Sequence, residues 1–188
     1  MIRFDSMPPE VMQAMCTPMH LIIPPAPAAH TGALYLGSFT AALDEPLLDQ
    51  HRIAALMQVL DAPWVPNAGA AARPIDCYRL DILDSSTADI RPHLEQAVRW
   101  IDDRLRRGMN VLVHCQQGVS RSAAIVIAYL IYTQNMTYET AFDLVRRKRA
   151  CIKPNSGFVR ALQEWEKKWR NVGADTRPLM RRASTTPR

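Results

Sequence analysis

Residues Val111 to Ile131 limit what this chain can fold into more than any other stretch. Val111, Leu112 and Val113 form a short β-branched apolar run that ends in His114-Cys115. The five residues Gln116, Gln117, Gly118, Val119 and Ser120 follow, and then Arg121 and Ser122. From Ala123 to Ile131 almost every side chain is apolar. This pattern predicts a buried strand, a tight loop and a buried helix. In an open α/β sheet, ligands bind at the carboxyl ends of strands, which is where this loop falls.

The loop suits the holding of an oxyanion around a sulfur nucleophile. Backbone N–H groups from Gln116 to Arg121 can curl into an anion-binding nest, and the following helix N-terminus adds partial positive charge. Gly118 admits a backbone angle that a Cβ resists. Arg121 stands where loop becomes helix, and its planar fork can grip two oxygens of a phosphate as Lys cannot. The same positive field favours thiolate on Cys115. Ser122 can donate a hydrogen bond to the sulfur and ease its departure. His114 reads as support for the loop rather than a proton carrier. A lone cysteine beside a histidine is more often a buried structural residue. Here Cys, Gly, Arg and Ser all fall where phosphate chemistry needs them.

His114-Cys115-x-x-Gly118-x-Ser120-Arg121-Ser122 resembles the signature of the cysteine-dependent dual-specificity protein phosphatases. Leu34-Tyr35-Leu36-Gly37 resembles the entry to that domain, and Lys153-Pro154-Asn155-Ser156-Gly157-Phe158 resembles the stretch before its final helix. The resemblance runs from about Ala33 to Trp169. It implies a single α/β domain with a central, mostly parallel, twisted sheet flanked by helices. It implies hydrolysis of phosphotyrosine and of phosphoserine or phosphothreonine through a cysteinyl-phosphate. Cys115, Arg121, Asp84 and Ser122 are the expected catalytic residues. Residues Gln116, Gln117, Gly118, Val119, Ser120 and Arg121 are the expected substrate cradle, with no metal and no organic cofactor. No stretch resembles the extra loop that deepens the pocket of tyrosine-only enzymes.

A thiolate that attacks a phosphate ester expels an oxygen that needs a proton. Asp76, Asp81, Asp84 and Asp89 lie upstream. Asp81 falls within a strand pattern, and Asp89 is placed to precharge the next helix. Asp84 follows the strand end on a loop that can reach over the site, as the family places its acid. Asp84 is therefore the expected acid, with Asp89 the alternative. Asn155 reads first as a helix cap and second as a brace for the loop.

The remaining chain is read from pattern. Residues 1–31 are rich in Pro, Met and Ala and predict a flexible or loosely docked arm. Ala33–Gly37 predicts a strand and Thr40–Gln50 a short helix. Ile53–Leu60 is helix or strand by pattern, and the resemblance favours strand. Pro63–Pro74 predicts a loop and Cys77–Ile82 a strand with Tyr78, Leu80 and Ile82 on one face. Leu94, Ala97, Val98, Ile101 and Leu105 mark a helix that Gly108 ends. Thr137 caps a predicted helix from Tyr138 to about Lys148. Phe158, Leu162, Trp165 and Trp169 stripe a last helix. The catalytic unit is expected over residues 32–171, and a basic disordered tail over 172–188.

The chain of 188 residues is long enough for one domain with a real core. Its formal charge is +5. Arg104–Arg107 and Arg146–Arg149 fall at predicted helix C-termini, where cations complement the dipole, so no nucleic acid is expected. No uncharged apolar run nears the ~20 residues of a membrane span. Cys16, Cys77, Cys115 and Cys151 show no metal-ligand spacing, and Cys77 and Cys151 read as core or free thiols. A thiolate enzyme fits a reducing compartment, cytoplasm or nucleus, and a monomer acting on a phosphorylated protein, a protein kinase among the candidates. Two other readings stand beside this one. The first is the same chemistry on a phosphoinositide, an RNA 5′-phosphate or a phosphoglucan, although the uncharged Gln116, Gln117 and Val119 suit highly anionic substrates poorly. The second is a catalytically weak module that only binds phosphate groups.

Overall fold

The computed structural model describes residues 7–61 and 74–170. The expected basic tail, and all of the expected 63–74 loop but Pro74, lie outside the described residues. In chain order the elements are α1 (Pro9–Cys16), β1 (Met19–Ile23), β2 (Leu34–Ser38), α2 (Phe39–Leu43), α3 (Glu45–Gln50), β3 (Ile53–Val59), β4 (Asp76–Leu80), α4 (Arg91–Arg106), β5 (Asn110–Cys115), α5 (Arg121–Gln134), α6 (Tyr138–Lys148) and α7 (Ser156–Arg170), with a 3-10 turn at Pro27–Ala29. The strands form one sheet in the order β1-β2-β5-β3-β4. β2, β5, β3 and β4 run parallel, and β1 closes one edge antiparallel to β2. This is the expected α/β domain.

Period-2 alternation distributes the sheet's side chains between two layers. Leu34, Leu36, Met57, Val111 and Val113 face the larger core with α4, α5, α6 and α7. Tyr35, Leu56 and Leu112 face the smaller one with Ala41, Ala42 and Leu48 of α2 and α3. Strands covered on both faces read as continuous apolar runs, which is why Val111–Val113 carries no alternation. α5 is buried on all sides from Arg121 to Tyr132, so its sequence lacks a polar face as well. The apolar stripes expected on α4 and α7 are buried as expected, and Trp165 Nε1 donates to the Ala128 carbonyl at 3.1 Å. Thr137 caps α6, accepting from Thr140 N at 3.1 Å.

Two expectations are corrected. Thr40–Gln50 is not one helix. Pro46 lacks an N–H and cannot continue α2, so the chain restarts as α3, capped by Asp44 Oδ1 accepting from Leu47 N at 3.0 Å. Residues 7–31 are not a loosely docked arm. Met19–Ile23 pairs with β2 in the register Met19↔Gly37, His20↔Leu36 and Leu21↔Tyr35, and Met19 and Ile22 are buried. Pro24-Pro25 follows the strand rather than interrupting it, and edge strands tolerate proline there.

Candidate active site

β5 lies in the middle of the sheet, so its carboxyl end is walled by β2 on one side and β3 on the other. Cys115 ends that strand with its sulfur buried. Sγ accepts from Gly118 N at 3.3 Å and from Ser122 Oγ at 3.1 Å. The Ser122 donor was expected from the sequence, and the Gly118 amide bond to the sulfur is added by the structure. Gly118 has φ +67, and a Cβ there would lie 2.5 Å from the Gly37 carbonyl oxygen. Only glycine fits that close approach in that backbone region.

The carbonyls of residues 116 to 119 are all held from outside the loop. Gln116 O accepts from Phe39 N at 3.2 Å, and Val119 O from Lys153 N at 2.8 Å. Gln117 O and Gly118 O accept from Arg149 Nη2 at 3.0 Å and Nε at 2.9 Å. In a trans peptide unit the N–H opposes the C=O. The N–H groups of residues 117 to 120 are therefore turned into the loop, a nest suited to an anion.

Arg121 opens α5 and is almost wholly buried. Its Nη1 donates to Asp61 Oδ1 at 2.6 Å and to the Ile82 carbonyl at 3.2 Å. Its Nε is buried, makes no hydrogen bond, and lies 3.8 Å from Asp84 Oδ2. The bond from Arg121 holds the Asp61 carboxyl below the usual carboxylate range. Buried donors are nearly always satisfied, so the orphaned Nε marks a place where an acceptor fits.

The four candidate acids separate cleanly. Asp76 pairs with Arg104 at 2.9 Å, and Asp81 with Arg79 at 2.6 Å. Asp89 takes the amide of Arg91 at 3.1 Å and its Nε at 2.8 Å, which commits it to the start of α4. Asp84 alone among the four reaches the loop. Its Oδ1 accepts from Ser120 Oγ at 2.6 Å and from Asn155 Nδ2 at 2.9 Å. Asn155 does both things weighed for it, since its Oδ1 also caps α7 by accepting from Phe158 N at 3.0 Å. Gly157 allows α7 to start directly against the carbonyl of Ser86, which fixes the Asp84 segment beside the loop. An open groove beside Asp84 and Ser120 is lined by Val119, Lys153, Pro154 and Val159. His114 is fully buried, its ring tilted 6.2 Å from Phe39, and burial pushes its pKa down to about 4. A ring packed in the strand this way is neutral and carries no positive charge near neutral pH.

Residues 34–168 match the family model "Dual specificity phosphatase, catalytic domain". The chain belongs to the dual-specificity phosphatase family. It is 39% identical over 139 residues to mouse serine/threonine/tyrosine-interacting protein, a match covering 71% of this chain and 61% of that one. It is 34% identical over 138 residues to human dual specificity protein phosphatase 22, covering 71% and 70%. The solved human tyrosine phosphatase-like serine/threonine/tyrosine-interacting protein superposes with a TM-score of 0.71 at 34% identity, covering 80% of this chain and 97% of that one. The chain spans 19% to 61% of the length of several curated relatives it matches. Among the described residues no helix is long and apolar enough to cross a membrane.

Two residues that shape this site carry no mark of it in the sequence. Asp61 follows an apolar strand and carries no motif, so nothing local marks it. Arg149 ends a basic run that reads as helix-dipole chemistry, yet it is fully buried against the loop.

Proposed function

We propose that this protein hydrolyses phosphotyrosine and phosphoserine or phosphothreonine in proteins through a cysteinyl-phosphate. The observation that carries the reading is the 116–120 loop, with its carbonyls bonded outward and its amides turned inward around Cys115 Sγ. In the first step Sγ attacks phosphorus as the bond from phosphorus to the ester oxygen breaks. The loop amides and Arg121 hold the remaining oxygens, and Asp84 gives its proton to the leaving oxygen. Asp84 Oδ1 already accepts two hydrogen bonds, which leaves Oδ2 to carry that proton. In the second step water attacks phosphorus and gives its proton to Asp84, the sulfur–phosphorus bond breaks, and Ser122 Oγ donates to the departing thiolate. Splitting one displacement into two is the usual advantage of covalent catalysis. Positioned donors contribute most, about 3–4 kcal/mol for one well-aimed group.

The substrate in this reading is a phosphorylated protein, a protein kinase among the candidates. The enzyme acts as a monomer in the cytoplasm or nucleus, where thiols stay reduced. A binding-only role is a second reading, favoured by similarity to a relative named as an interacting, phosphatase-like protein. Cys115, Ser122 and a reachable Asp84 favour catalysis over it. The test is phosphate release by the native chain and Cys115→Ser on matched phosphotyrosine and phosphothreonine peptides, an inositol phospholipid and a 5′-triphosphorylated RNA, with chelator present. Cys115-dependent release from both peptides is expected. Release from lipid or RNA alone overturns the substrate class. Tight peptide binding without release from any substrate establishes the binding module.

A further inference from the structure

Arg149 is the largest fully buried side chain of the described residues, and it lies behind the loop rather than in it. Its fork faces two ways. Nε and Nη2 donate to the carbonyls of Gly118 and Gln117 at 2.9 and 3.0 Å. Nη1 donates to the Thr17 carbonyl at 2.9 Å and to His20 Nδ1 at 2.8 Å. The first pair belongs to the loop, and the second to the end of α1 and the start of β1.

The peptide plane gives these bonds a consequence at the site. Holding Gln117 O turns the N–H of Gly118 the other way, and that N–H is the one that reaches Cys115 Sγ. Holding Gly118 O likewise turns the N–H of Val119 into the nest. No carboxylate among the described residues pairs with Arg149, so its charge is met only by carbonyl dipoles and an imidazole. A buried cation without an anion normally carries a large desolvation cost. An oxyanion at the loop, or a thiolate at Cys115, would offset it. Burial lowers the Arg149 pKa, while the nearby Cys151 and Cys115 act in the opposite direction.

We infer that Arg149 is a positioning residue for the oxyanion cradle, aiming the amides of Gly118 and Val119 and tying the α1–β1 segment to them through Thr17 and His20. This rests on reading the 116–120 loop as an oxyanion cradle. The α1–β1 segment is thereby part of the working site and not a spare edge. Its anchorage is reinforced next door, where the Pro18 carbonyl accepts from Ser38 N at 2.9 Å and Ser38 Oγ at 3.2 Å, beside the Cys115 register position.

The test is calorimetric titration of inorganic tungstate into full-length Cys115→Ser, alone and combined with Arg149→Lys or Arg149→Met, with a thermal melt of each. Lys keeps the charge and loses the fork, and Met loses both. Folded Cys115→Ser/Arg149→Lys should bind tungstate roughly tenfold more weakly, and the Met variant more weakly still. Unchanged affinity in the folded variants overturns the proposal. If neither Arg149 variant folds, His20→Leu carries the test, since it removes one anchor of the fork. It should weaken tungstate about threefold, and no change there overturns the link. Absence of tungstate binding to Cys115→Ser itself defeats the cradle reading, a result distinct from failure of the Arg149 role.

Discussion

The 116–120 loop and the Asp84 segment meet at one carboxylate, yet they are held by different means. The loop is fixed through its backbone, with four carbonyls bonded from three other parts of the chain and a glycine at φ +67. Asp84 is fixed through its side chain, by Ser120 Oγ and Asn155 Nδ2, and a third of that side chain stays exposed. The difference suits the roles proposed for the two parts. Oxyanion donors work best when no reorganisation accompanies the reaction, so they belong on rigid backbone. A proton donor must meet leaving groups of different shape and also admit water, so it belongs on an accessible side chain.

Changes on the two sides should therefore fail differently. Cys115→Ser should lower kcat by on the order of 10⁶-fold on every phosphate ester. Retention of rapid turnover in that variant would remove the loop from the chemistry altogether. Asp84→Ala should cost about 10²- to 10⁴-fold on esters with poor leaving groups and far less on aryl phosphates with good ones. A plot of log kcat/KM against leaving-group pKa checks this, and an unchanged slope would take the acid role from Asp84. Gly118→Ala should cost about 10²-fold whatever the leaving group, because the backbone must shift to clear the Gly37 carbonyl. A leaving-group-dependent loss there would blur the division between backbone and side chain.

The smallest effect concerns stability. Burial lowers the His114 pKa to about 4 from an ordinary 6.5, so the fold prefers the neutral ring. The stabilisation is complete above pH 6.5 and is lost as pH falls through 4, about 3 kcal/mol in all. Imidazole NMR titration reads this directly. A His114 midpoint near 6.5 would show that β5 is looser beneath the loop than its packing indicates.

The division also explains what the sequence made legible. The strand, loop and helix around Cys115 are contiguous, and their chemistry depends on spacing, so residues 111–131 read correctly in one dimension. α4, α6 and α7 announced themselves by periodicity and by caps such as Thr137. Asp84 was singled out because a polar loop follows an apolar strand, as the resembling family places its acid, and the structure brings Asp84 to the loop through Ser120 and Asn155 while Asp76, Asp81 and Asp89 pair with arginines elsewhere. β1 was hidden because its five residues precede Pro24-Pro25, and only the edge of a sheet built elsewhere gives it a partner. Arg149 was hidden for a related reason. Its bonds to the loop and to Thr17 and His20 cross 31 to 132 positions of sequence, and no local pattern encodes them.

The most direct measurement is to trap the intermediate. Asp84→Ala mixed with a labelled aryl phosphate of good leaving group, quenched within the first turnover and digested, should yield a peptide carrying phosphate on Cys115. A matching burst of aryl alcohol equal to the enzyme present should accompany it. Turnover with no phosphate on Cys115 at any quench time, or phosphate on another residue, would contradict the account.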